Sequence, residues 1–134
     1  MKRYFVAYRF SGEPKEVLEE RLGLVVEALR KAGIDAYCNF FDQHEIDKHN
    51  LNAREVMKKA FAQIDERDGL FVLIASDDKS EGQLIEVGYA LAKGKHIISA
   101  IQEDVKTYVD SLVHQAINWN KLDDLKTQLE GIKV

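Results

Sequence analysis

The sequence predicts a single-domain α/β fold: a flavodoxin-like or Rossmann-like sheet of about five parallel strands in the order 2-1-3-4-5, with helices on both faces. Three observations predict it. Aromatic and β-branched runs alternate with stretches of helical apolar period along the chain. One run, GLFVLIAS at residues 69–76, is apolar without interruption, the mark of a strand covered on both sides. The length of 134 residues, 46% of them apolar and 31% charged, suits one core and one domain spanning residues 1–134.

The elements follow in order. RYFVAYRF (3–10) reads as the first strand, ended by SGEP, where glycine and proline punctuate the chain. Leu18, Leu22, Val25 and Leu29 recur at helical spacing, and Gly33 stands where a helix-ending glycine belongs. IDAYCNF (34–40) is a second strand, and DQHEIDKHN (42–50), without apolar period, a surface loop. Asn52 and Glu55 have the spacing of a capping box, with Val56, Ala60, Phe61 and Ile64 forming the apolar face of a second helix. After the central strand, DDKSEG (77–82) leads into a third helix that closes at Gly94. HIISAI (96–101) is the fourth strand; VKTYVDSLVHQ then reads as a helix, AINW as a short edge strand and KLDDLKTQLEGI as a last helix.

Composition excludes several function classes. A net charge of −4 opposes polymeric nucleic acid as the main partner. No apolar run approaches the roughly 20 residues that span a bilayer, and the N-terminus lacks a signal-peptide series, so the cytoplasm is the expected address, with no membrane partner. The single cysteine, Cys38, cannot form an intrachain disulfide and reads as a buried small side chain. His44 and His49, five apart beside Asp42, Glu45 and Asp47, read as part of a solvated loop, and no metal or cofactor is expected. Neither a phosphate-loop motif nor a G-x-G-x-x-G fingerprint occurs.

In such sheets ligands sit beyond the carboxyl ends of the strands, where the winding reverses, here between the first and third strands. Two loops then lie side by side, Tyr8 to Gly12 and Ser76 to Gly82, and Glu86, one turn into the following helix, can face the same crevice. Ser80 and the amides around Gly82 offer donors at a helix N-terminus, Arg9 a fixed positive charge; the alternative for Ser80 is an ordinary helix cap. Gly88 reads as small so that the helix can lie close to the sheet.

The stretch DGLFVLIASDDKSEGQLIEVGYALAKGKHIISAI resembles the core motif of the nucleoside 2-deoxyribosyltransferase-like superfamily, which includes the 2'-deoxynucleoside 5'-monophosphate N-hydrolases. The resemblance implies a parallel α/β fold and cleavage of, or transfer across, the N-glycosidic bond of a small-molecule nucleoside or nucleotide. It makes Glu86 the nucleophile and Ser80 a contact to sugar or phosphate, with Gly82, Gly88, Tyr89 and Ala90 as framework. YFVAYRFSG is similar to the family's first strand and substrate loop, which adds Tyr8, Arg9, Ser11 and Gly12 as substrate contacts. QAINWNKLDDL looks like the segment that reaches a neighbouring subunit, so Gln115, Trp119 and Asn120 would complete the site in a homodimer or larger homo-oligomer. One departure stands out. The family's usual acid, about eight residues before the strand-opening Asp68, falls on Ala60.

The sequence also resembles a TIR domain, on YFVAYRFSGE, LRKAGIDAYCNFFD and the six-residue step from Ser80 to Glu86, with Gly82 and Gln83 replacing the usual tryptophan and cysteine. That resemblance implies an NAD hydrolase using the same glutamate. A third reading, of a different class, is a non-catalytic nucleotide-binding or assembly module.

Overall fold

The structure, a computed structural model, describes residues 1–42 and 50–134. The predicted loop, with His44 and His49, lies almost entirely outside the described residues. Strands β1 (Lys2–Ala7), β2 (Ile34–Tyr37), β3 (Gly69–Ile74), β4 (His96–Gln102) and β5 (Gln115–Trp119) form one sheet in the order β2-β1-β3-β4-β5. Every neighbouring pair is parallel. The fold class predicted from the sequence is the one observed.

Side chains alternate along each strand and so build two cores. On one face Tyr4, Val6, Phe71, Leu73, Ile98 and Ala100 pack under α1 (Lys15–Lys31) and the C-terminal helix, which contribute Leu18, Leu22, Val25, Leu29, Leu125 and Leu129. On the other, Phe5, Ala7, Leu70, Val72, Ile97 and Ile101 pack under α2 (Ala53–Asp65) and α3 (Glu81–Ala92) through Ala60, Ile64, Val87 and Ala90. The C-terminal helix is α4 (Leu122–Glu130). All six residues of β3 are buried, as a strand between two helical layers must be.

The helices are fixed by local chemistry. Asn52 and Glu55 form the predicted capping box at the start of α2, Asn52 Oδ1 accepting from Glu55 N–H and Glu55 Oε1 from Asn52 N–H. Tyr89 ties α3 to α2: its ring stacks on Phe61 at 4.0 Å, and its hydroxyl donates to the Asp65 carboxylate at 2.7 Å.

Three expectations are corrected. The helix expected over VKTYVDSLVHQ is only a short 3-10 turn, Val109–Ser111. Val105, Val109 and Val113 do reach the core, which is the origin of the helical period. Side chains claim the backbone instead: Asp77 accepts from Lys106 N–H, Thr107 from Val109 N–H, and Ser111 donates to Tyr108 C=O. The first two strands are shorter than their sequence runs; β1 ends at Ala7, so Tyr8, Arg9 and Phe10 leave the ladder, and Asn39 and Phe40 belong to a 3-10 turn, Asn39–Asp42. Gly88 does not let α3 approach the sheet. It is exposed, and a Cβ there would meet nothing within 4 Å.

The glycine that close packing does require is Gly69, where a Cβ would collide with the Tyr4 ring and the His96 carbonyl oxygen. Gly69→Ala is expected to lower stability by roughly 3 kcal/mol in chemical denaturation. Gly88→Ala, on an exposed helical position, should instead gain about 0.5–1 kcal/mol from helix propensity; equal effects of the two would contradict this packing.

Candidate active site

The crevice forms where the sheet reverses its winding. β1 feeds α1 on one face and β3 feeds α3 on the other, so their carboxyl ends part and leave carbonyl groups without a strand partner. Gln83, in the first turn of α3 and 7% exposed, fills that gap: Nε2 donates to Ala7 C=O at 3.1 Å and to Leu73 C=O at 2.6 Å. The amide thereby fixes the entry of α3 against both strands. Ser80 caps the helix, its hydroxyl oxygen accepting from Gln83 N–H at 3.2 Å.

One turn further along, Glu86 lines a cavity of about 290 Å³ with Tyr8, Phe10, Ser11, Asn39, Met57, Ser80 and Gly82. Burial pushes its carboxyl up to about 8, and among the described residues no hydrogen bond or ion pair meets it. The cause is burial: the carboxyl is withheld from bulk water on the helix side and meets the cavity on the other, among the apolar Val6, Phe10, Val56 and Met57 and the polar Ser11, Asn39 and Ser80. The Tyr8 ring packs edge-on against Phe40, with centroids 6.1 Å apart. Its phenol is pushed well above the ordinary range, first by burial, then by Cys38 and Glu86 nearby. Cys38 is likewise raised to about 12, chiefly by burial, which leaves a neutral thiol in the core behind Tyr8 and no nucleophile.

The structure thus brings Glu86, Tyr8, Ser11, Ser80 and Gly82 to one cavity. Arg9 turns away from it, its guanidinium lying 3.6 Å from both Glu13 and Asp78. Gly12, at φ +79, permits this: a Cβ would come within 2.9 Å of the Arg9 Nη2. Gln115, Trp119 and Asn120 lie at the far edge of the sheet. Trp119 is 3% exposed and packs in its own core, which leaves its ring little surface for another molecule, while Gln115 donates to Lys133 C=O and Asn120 Oδ1 accepts from Lys121 N–H. Asn39, Met57 and the Gln83 clamp escaped the sequence reading, because no local pattern marks a residue whose role depends on two strands ending side by side. Among the described residues, no group of three potential metal ligands occurs, and no helix is long and apolar enough to cross a membrane.

Comparison with solved structures supports the same architecture. The CMP N-glycosidase of Clostridium botulinum superposes with a TM-score of 0.70 at 23% identity, over 96% of this chain and 98% of that one. A 2-deoxyribosyltransferase of Bacillus psychrosaccharolyticus gives 0.67 at 18% identity, over 98% and 92%. A prokaryotic SEFIR domain gives 0.57 at 14% identity, over 99% and 94%. No curated protein matches the sequence. The family model described as nucleoside 2-deoxyribosyltransferase matches residues 7–130, from the end of β1 to the end of α4, and the chain belongs to that family.

Proposed function

We propose that the protein cleaves, or transfers across, the N-glycosidic bond of a nucleoside or nucleotide, with Glu86 acting on the sugar. The observation that carries the reading is the Glu86 carboxyl itself, half-sequestered at the mouth of the sheet and facing a cavity without a partner among the described residues. Family membership and the likeness to a CMP N-glycosidase and a 2-deoxyribosyltransferase supply the bond class. As the C1'–N bond lengthens, its electron pair leaves with the base and positive charge gathers on C1'. A carboxylate in a poorly solvated site stabilises that charge strongly, then closes an O–C1' bond to it. Water attacking C1' breaks the O–C1' bond, frees Glu86 and releases the sugar, its proton passing to the departed base; a second base attacking in its place, and giving up its N–H proton likewise, gives transfer. Ser11 and Ser80 supply hydroxyls and the start of α3 supplies donors for the sugar or a phosphate on it. Gln115 and Asn120 remain the contacts that a second copy would offer in a homodimer.

The glutamate must be ionised to act, and its carboxyl titrates at about 8 in the free protein. The expected kcat/KM for base release therefore climbs about tenfold per pH unit up to that value and levels above it. Glu86→Gln is expected to cut base release by at least about a thousandfold while leaving the circular dichroism spectrum unchanged. Full turnover in that variant, over nucleosides, nucleoside monophosphates and NAD, would rule the mechanism out.

The same shift makes a stability statement. Because the folded-state pKa lies above the unfolded value, the native form binds the extra proton between pH 4.5 and about 8, and stability falls as pH rises through that window. Glu86→Gln escapes the loss. It should match the parent near pH 4 and exceed it by roughly 2–4 kcal/mol at pH 9, less than the full shift because the cavity admits water; a pH-independent difference in urea melts would remove burial as the cause.

A further inference from the structure

The amino end of the sheet, opposite the Glu86 crevice, carries a polar cluster of its own. β5 is an edge strand, and the first rung that ties it to β4 uses a side chain: His114 N–H donates to Ile97 C=O at 2.9 Å, while the His114 Nδ1 accepts from Ile97 N–H at 3.0 Å. One residue supplies both halves of the rung. Ile97 is fully buried, so its amide depends on that acceptor. The His96 ring stacks on His114 with centroids 4.9 Å apart, and its own Nδ1 shares a hydrogen bond with the Tyr4 hydroxyl at 2.7 Å.

The two bonds answer a proton differently. A ring nitrogen that accepts from a backbone N–H keeps its imidazole neutral, with the hydrogen on Nε2, and a further proton turns that acceptor into a second donor. Two donors cannot pair. At His96 the Tyr4 hydroxyl can give or take the hydrogen bond, so protonation there leaves the contact intact. The surroundings compensate a cation poorly. Burial first, then the His114 ring and Lys2 on β1, hold His96 below the ordinary histidine value. Asp68, just before β3, bears on the Tyr4 phenol and accepts from Arg3 N–H; Lys95 donates to the Asp65 and Arg67 carbonyls; Asp110 and Lys133 are exposed. Among the described residues no carboxylate forms an ion pair with either imidazole.

We propose that this rung is a pH-sensitive clasp: a proton taken up by His114 breaks the bond to Ile97 N–H and frees the start of β5 from β4, while the far end of the strand stays docked. That far end is secured separately, with Glu103 N–H donating to Trp119 C=O at 2.8 Å and Trp119 packed 3% exposed in its core. The open form binds a proton that the closed form excludes, so opening grows as pH falls below the ordinary imidazole value of about 6.5. This is the reverse of Glu86, whose burial costs stability as pH rises.

The test is amide hydrogen exchange read residue by residue by NMR, expressed as protection factors so that the intrinsic pH dependence of exchange is removed. In the parent, protection of the Ile97 and His114 amides should be level above about pH 7 and fall about tenfold per pH unit between about 6.5 and 5. In His114→Asn the side-chain Oδ1 stands as many bonds from the backbone as Nδ1 and does not titrate, so protection should stay within about threefold over that range. His114→Leu, which has no acceptor, should show low Ile97 protection at every pH. The emission maximum of Trp119, the chain's single tryptophan, should not move in the parent as the clasp opens, and Glu86→Gln should leave the Ile97 profile unchanged. Level protection in the parent, or the same fall in His114→Asn, overturns the proposal. So does a red shift of Trp119 that tracks the loss, since the event is then unfolding of the whole chain, or a profile that moves with Glu86→Gln.

Discussion

The architecture turns on a gap in a hydrogen-bond ladder. Parallel strands whose helices leave to opposite faces part at their ends, and here β1 and β3 each present a buried carbonyl, on Ala7 and Leu73, to a side-chain donor. A buried carbonyl without a donor costs about 1–3 kcal/mol, and Gln83 satisfies two of them with one amide. The same bonds set where α3 begins. Ser80, Gly82 and Glu86 are positioned relative to that anchored first turn, so the place of the candidate nucleophile follows from the repair of the ladder.

Glu86 itself shows how stability and chemistry oppose each other at such a site. Glu86 stands between Leu84–Ile85 and Val87 in the sequence, and its burial in the structure raises its pKa to about 8. Hydrogen-bond donors aimed at it would stabilise the carboxylate and lower its pKa, but they would also satisfy it before any cation formed on a sugar. Left under-solvated, it carries a charge only in the fraction ionised, which grows as pH approaches 8, and that charge is then uncompensated until a cation forms on the sugar. The protein accepts a less stable fold above neutral pH in return.

Much of this was readable from residue order. The strands announced themselves because both faces of the sheet are covered, which forces runs such as GLFVLI to be apolar throughout. The helices were read from Leu18, Leu22, Val25 and Leu29 and from the Asn52–Glu55 capping pair, all local signals. Where reading failed, local and distant forces disagreed. Val105, Val109 and Val113 have helical spacing, yet Thr107, Ser111 and Asp77 bind the backbone around them first. Gly88 looked like a packing glycine, but the tight approach lies at Gly69, between Tyr4 of β1 and the His96 carbonyl of β4. The crevice lining was half legible: Tyr8, Ser11 and Ser80 sit on the predicted loops, whereas Asn39 and Met57 arrive from other parts of the chain.

Arg9 carries a different lesson. Its guanidinium bridges the loop after β1 and the loop after β3, held by Glu13, which is largely shielded, and by Asp78, which is 78% exposed. A cation already shared between two carboxylates attracts an incoming anion only weakly, since any gain must be set against the contact surrendered. Recruitment of Arg9 would therefore proceed by exchange, with Asp78 as the partner most readily displaced, and the two loops would lose their electrostatic strap in the same event. Ionic strength screens that strap, the contact with the exposed Asp78 most of all.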